Sequence, residues 1–124
     1  MAETAFSVLM ILLLGAAGIL LLVMGCRMSQ RRLPPNSWAG VRYAVALQSE
    51  ENWYEMQAQC ATATAGLGVV LIDSAVLFAI QAFLRDTISV VIPMVVMLIQ
   101  VAAGIALLHV RARKYRTHLL RNAK

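Results

Sequence analysis

The chain has 124 residues, of which 60% are hydrophobic and 14% charged, with a formal net charge of +5. Soluble domains carry about 25% charged residues, so this composition excludes an ordinary water-soluble globular domain, and the length suits one compact unit rather than two. The positive balance does not point to nucleic acid, because the basic residues lie beside apolar blocks, where they anchor and orient a chain in a bilayer.

The first apolar block covers about residues 5–25. It contains Leu12-Leu13-Leu14 and Leu20-Leu21-Leu22-Val23 and no charge, and a run of about 20 apolar residues is long enough to cross a bilayer as a helix. A cleaved signal peptide needs a basic leader, whereas only Glu3 is charged ahead of this block. The run Val23-Met24-Gly25-Cys26 has the look of a lipoprotein processing site but lacks the same basic leader. A retained span is therefore expected.

Residues 27–59 form the one stretch that does not read as membrane. Arg27, Arg31 and Arg32 make a basic collar suited to anionic headgroups. Pro34 and Pro35 block continuation of a helix, Gly40 permits a tight bend, and Trp38 suits the membrane interface. A helix is predicted to start at Ser49, a good N-cap, with Glu50 and Glu51 in the first turn where the helix dipole favours negative charge. Trp53 and Met56 give it an apolar edge. The pattern allows this helix either to run unbroken into the second span or to bend near Gln57 to Gln59. Arg42 is expected to pair with Glu50, Glu51 or Glu55 and fold the connection against the membrane; a ligand contact is the alternative role.

The second block covers about residues 60–84, interrupted by Asp73 and Gln81, and the third about 88–110, interrupted by Pro93 and Gln100. The turn between them reads Arg85-Asp86-Thr87, with Asp86 or Thr87 placed to cap the following helix. In an antiparallel hairpin centred there, Asp73 and Gln100 both lie roughly 17 Å deep, near the bilayer centre. A carboxylate at that depth costs about 2.5–3.5 kcal/mol on insertion scales, so Asp73 is expected to take Gln100 as a partner. Thr62, Gly66 and Asp73 lie near one helical face, and Ala61, Ala63, Ala65 and Gly68 widen a thin surface that another helix can approach. A polar clamp between helices is the favoured role for Asp73, and a proton- or ligand-sensitive carboxyl is the alternative.

Flanking charge sets the expected direction. The first connection carries four basic residues and the tail (111–124) six, against none before the first block and Arg85 alone in the last turn. The N-terminus is expected outside, and the connection and the tail in the cytoplasm, with the chain multi-pass in the inner or plasma membrane. Cys26 and Cys60 then face a reducing compartment as thiols. His109 and His118 lack metal-ligand partners at useful spacing, and there is no nucleophile–base pair or phosphate-cradling glycine loop. Neither an enzyme nor a cofactor is expected. The predicted fold is all-α: a polytopic membrane protein of three transmembrane helices, with a cytoplasmic loop and juxtamembrane helix between the first two.

The connection carries a family pattern. Asn36-Ser37-Trp38-Ala39-Gly40-Val41-Arg42, followed by Ser49-Glu50-Glu51-Asn52-Trp53, resembles the SdpI family of bacterial membrane proteins, in which an Asn, a Gly-[Ile/Val]-Arg and a Ser/Asn-Glu-x-x-Trp helix start lie between the first and second spans. Where that family often has Thr after the Arg this chain has Tyr43, and where it often has His four residues after the Trp this chain has Gln57; the founding members are longer, with additional spans. The resemblance implies immunity to a secreted peptide toxin, with signalling through a cytoplasmic regulator, and a functional loop of Asn36, Gly40, Val41, Arg42, Ser49, Glu50 and Trp53. The other expectation, from small size and thin helix faces, is a structural or accessory subunit of a homo-oligomer or larger membrane complex. A small transporter would need oligomerisation to enclose a pathway.

Overall fold

A computed structural model describes residues 2–36 and 40–122; Trp38, with its expected interface role, lies outside them. Three helices dominate: α1 (Ala2–Ser29), α2 (Glu50–Phe83) and α3 (Val91–Asn122), with a 3-10 turn at Ala46–Gln48. The described residues hold no strand. Each helix is long and apolar enough to cross a membrane, and all three outrun the apolar blocks that predict them. The helix capped by Ser49 does not stop at the interface. It continues unbroken for 34 residues, about 51 Å at 1.5 Å per residue, against a hydrocarbon core of about 30 Å. The tail is likewise helical, as the end of α3.

Both α1 and α3 pack on α2. Large apolar side chains such as Leu12, Leu20, Leu98, Ile99 and Leu107 point outward, the reverse of a water-soluble bundle. Between the helices the middle of the molecule relies on small residues instead. A Cβ on Gly68 would come within 2.7 Å of the Gly18 carbonyl oxygen, and one on Gly25 within 2.9 Å of the Ala65 amide nitrogen, so α1 and α2 touch backbone to backbone. Such contact supplies packing in lipid, where apolar surface gains nothing by leaving its surroundings. The thin face expected for helix packing is thus split. Ala61, Ala65 and Gly68 lie against α1, whereas Thr62, Gly66 and Asp73 stay exposed.

Hydrogen bonds close the end near the α2–α3 turn. The Ser7 hydroxyl donates to Gln81 Oε1 at 2.8 Å, and the same amide's Nε2 donates to the Ile88 carbonyl at 3.1 Å. One side chain so links α1, α2 and the turn. The predicted cap at Asp86 or Thr87 is not used, because the Thr87 and Ile88 amides turn back to the Leu84 carbonyl and delay the helix start. The Ser89 hydroxyl, two residues before α3 begins, accepts from the Val91 amide at 3.3 Å. Pro93, third residue of α3, falls where a helix leaves amides unbonded.

At the opposite, basic end the molecule has its apolar core, built from Met28, Leu33, Val45, Ala46, Trp53, Met56 and Cys60 with Ala112 of α3. Ser49 caps α2 as expected, accepting from the Asn52 amide at 3.0 Å. Helix α1 ends with Arg31 at φ 58°, while the Arg32 amide bonds to the Arg27 carbonyl and the Arg31 amide to the Met28 carbonyl. That is the Schellman arrangement usually completed by glycine.

Replacing Gly68 with Leu is expected to destabilise the α1–α2 contact by about 1–3 kcal/mol through overpacking against backbone. Leu at Gly66, where a Cβ meets nothing within 4 Å, is expected to stay within about 0.5 kcal/mol of the parent. Unfolding of the detergent-solubilised chain in a sodium dodecyl sulfate titration checks both; equal effects would refute the packing difference.

Candidate functional site

The connection after α1 hangs from two side chains one turn apart on α2. Trp53, fully buried, donates its indole N–H to the Leu33 carbonyl at 2.7 Å. This bond fixes the chain just before Pro34-Pro35. Gln57, also fully buried, holds Val41 at both backbone groups: its Oε1 accepts from the Val41 amide at 2.9 Å and its Nε2 donates to the Val41 carbonyl at 2.7 Å. Each Gln57 bond would leave a buried backbone or amide group unpaired if lost, at a cost of about 1–3 kcal/mol.

Gly40 makes this clasp sterically feasible in two ways. Its φ is +97°, a conformation that L side chains rarely adopt, and a Cβ there would approach Gln57 Oε1 to 2.7 Å. Asn36 donates its side-chain amide to the Pro34 carbonyl at 2.8 Å. Farther along, the Asn52 side chain donates to the Val45 carbonyl at 3.1 Å, so the connection is tied at Leu33, Val41 and Val45 by Trp53, Gln57 and Asn52, within two turns of one helix. Of the residues singled out by sequence, Gly40, Val41 and Trp53 belong directly to this clasp. Ser49 acts as helix cap, and Glu50 is exposed in the first turn. Gln57 and Leu33 complete the clasp without having been expected as site residues; the legible sign was Gln57 one turn after Trp53 on the same helix face.

Arg42 projects from the clasp and is exposed, with no ion pair or hydrogen bond among the described residues. The expected pairing with Glu50, Glu51 or Glu55 is not made. Arg31 takes Glu55 instead, in the ion pair that closes the basic end, and Tyr115 of α3 donates its hydroxyl to the other carboxylate oxygen at 3.3 Å. The left-handed turn at Arg31 is what aims its side chain back toward α2. Arg42 therefore stays available beside a shallow cleft of about 370 Å³ between Val41–Tyr43 and Ile105, Leu108, His109 and Ala112 of α3. The neighbouring Tyr43 ring carries the Arg116 guanidinium 5.2 Å from its centroid, within cation–π range.

The intramembrane pair is also rearranged. Gln100 faces Ser74 rather than Asp73: the Ser74 hydroxyl lies 3.4 Å from Gln100 Oε1 and 2.9 Å from the Val70 carbonyl. Asp73 is exposed on the outer side of α2, with no polar partner among the described residues. Adjacent helix positions point about 100° apart, and α3 lies on the Ser74 side. Cys26 and Cys60 are free thiols, the first exposed and the second buried.

No curated protein and no solved structure gives a significant match. The model of the SdpI/YfhL protein family matches residues 32–109, a stretch that holds the clasped connection, all of α2 and α3 as far as His109. With a match over more than half its length, the chain belongs to the SdpI/YfhL protein family.

Proposed function

We propose that this SdpI-like membrane protein protects its cell against a secreted peptide toxin, with a signalling role through a cytoplasmic regulator. The observation that carries the reading is the clasp that presents Arg42. Two buried side chains, one required glycine and three backbone anchors hold a segment whose single charged side chain is left without a partner among the described residues. A free guanidinium carried between such anchors suits recognition, because the cost of ordering the anchored residues is met before a ligand arrives. Asn36, Ser49 and Glu50 belong to the same proposed functional loop.

The test is expression in a host killed by secreted membrane-active peptides. The parent chain is expected to raise survival against at least one peptide of a panel. Arg42→Ala should lose that protection at unchanged membrane level and helix content, and Gln57→Leu should lose it by releasing Val41. Unchanged killing across the panel by the parent, or full protection by Arg42→Ala, would refute the proposal.

The direction of insertion belongs to the same proposal: N-terminus outside, clasp and basic end in the cytoplasm, supported by four and six basic residues at one end against none and one at the other. A reporter active only outside the cytoplasm is expected to be silent when fused after Lys124 and active when fused ahead of α1; activity after Lys124 would reverse the assignment.

A second reading, a subunit of a homo-oligomer, is favoured by Asp73. Val69, Asp73, Val76 and Ile80 are all exposed and follow one another at alternating four- and three-residue steps, the spacing of a left-handed helix seam. An axis along the bilayer normal keeps like residues of two copies at one depth, so two Asp73 carboxyls can share a hydrogen bond and leave the lipid. In native membranes, cross-linking is expected to give an oligomer that survives Asp73→Asn and weakens with Asp73→Leu. A cross-linked pattern showing monomer alone would remove this reading.

A further inference from the structure

Two adjoining cavities between α2 and α3 share one residue, Arg111. The first, of about 510 Å³, lies at the basic end and is lined by Gln59 of α2 and by Val110, Arg111, Lys114, Tyr115 and His118 of α3. The second, of about 410 Å³, runs from Arg111 along the outside of the helix pair to Gln100, between Ala63 and Gly66 on one wall and Ala103 and Gly104 on the other. We propose that together they bind one anionic phospholipid, its phosphate held by Arg111 and Lys114 and an acyl chain lying in the small-residue groove.

Charge supports the head. Arg111 is the first residue after the apolar run of α3, so it stands where hydrocarbon gives way to headgroups. Lys114 and His118 follow at spacings that keep them on one helix face. One Arg111 guanidinium nitrogen reaches the Gln59 carbonyl at 3.5 Å, which tethers the group at the rim and leaves most of its five N–H donors free. Lys114 has no hydrogen bond or ion pair among the described residues. Among the described residues no carboxylate lines the cavity. The acid in contact with its wall through Tyr115 is Glu55, which is already paired with Arg31. The Tyr115 and His118 rings lie 5.5 Å apart and form the far side. A guanidinium and an ammonium lining one cavity, with no carboxylate of the described residues beside them, match a phosphate diester.

Length supports the tail. Gln100 lies eleven residues before Arg111, about 17 Å along the helix, close to the roughly 15 Å of one leaflet's hydrocarbon. Ala63, Gly66 and Ala103 line the groove beside Leu67, Val70 and Leu107, and the Leu67 side chain packs over Gly104. A Cβ on Gly66 meets nothing within 4 Å, so the space beside that glycine is open to an acyl chain. A free phosphate would use the first cavity and leave the second without an occupant.

The chain is released from lipid nanodiscs and its bound lipid read by native mass spectrometry. Phosphatidylglycerol is expected to be retained about ten-fold over phosphatidylcholine of the same acyl chains. Arg111→Gln with Lys114→Gln should lower that retention about ten-fold at unchanged helix content. Arg113→Gln with Arg121→Gln makes the same change in net charge and should leave retention as in the parent. Gly66→Leu fills the groove without touching a charge; it should reduce phosphatidylglycerol retention but not the binding of soluble glycerol phosphate. Equal retention of the two lipids overturns the proposal, as does an equal loss from the control pair, which would make the effect a property of net charge alone. Unchanged retention by Gly66→Leu, or glycerol phosphate bound as tightly as the lipid, would reduce the site to a phosphate cavity and overturn the lipid assignment.

Discussion

Lipid offers a helix neither water to escape nor partners for its polar groups, and this double absence divides the molecule along its length. Where α2 lies among apolar surroundings, its contact with α1 is made by Gly18, Gly25, Ala61, Ala65 and Gly68 at backbone distance. Two pairs of polar side chains there bond to each other, Ser7 to Gln81 and Ser74 to Gln100. Where α2 leaves those surroundings, burial of apolar area becomes favourable again, and the large side chains Trp53, Met28 and Met56 turn inward. A single helix of about 51 Å passes through both regimes and so carries the membrane packing and the loop on one rigid body.

That continuity explains how a loop with two prolines and little regular structure is held in place. Trp53 and Gln57 are anchored by the same helix that packs in the membrane, so the Leu33 carbonyl and the Val41 backbone are fixed relative to the spans. Closing a loop onto a rigid rod confines the conformational cost to the loop itself. Arg31 has a comparable position at the end of α1. Its left-handed backbone would ordinarily favour glycine, and its ion pair with Glu55 together with the Tyr115 hydroxyl offsets that cost while bringing α1, α2 and α3 to one carboxylate. With Glu55 engaged, Arg42 is left out of the ion pairing.

The spans were legible because an uncharged run of about twenty apolar residues suits a bilayer crossing and little else, and Ser49 was legible because a hydroxyl before two acids is a chemical statement about a helix start. The unbroken course of α2 was not. Gln57-Ala58-Gln59 reads locally as a plausible bend, and only the clasp on Val41 shows why the glutamine belongs inside a helix. Asp73 and Gln100 show the same limit differently. Depth follows from counting residues, whereas azimuth depends on where a third element packs, and a step from Asp73 to Ser74 was enough to change the partner. The competition of Arg31 and Arg42 for Glu55 was likewise invisible, since charge alone does not distinguish two arginines and a backbone φ of 58° does. In α1, Gly18 and Gly25 stand seven apart on one face, a readable pattern that apolar content obscured.

Gln57 also bears on how the clasp differs from the His often found at this position in the resembling family. An amide places a carbonyl oxygen and an N–H side by side, which matches the N–H and C=O of one residue, and Val41 is bonded through both. The two nitrogens of an imidazole point away from each other, so a histidine here could serve at most one of those groups while its second nitrogen faced elsewhere. Protonation would then turn that ring into a donor only and remove any bond it accepted. An amide has no such state. In this chain the Gly40–Arg42 segment is therefore held at two points by a group that does not titrate, and the orientation of Arg42 is independent of proton concentration at that anchor.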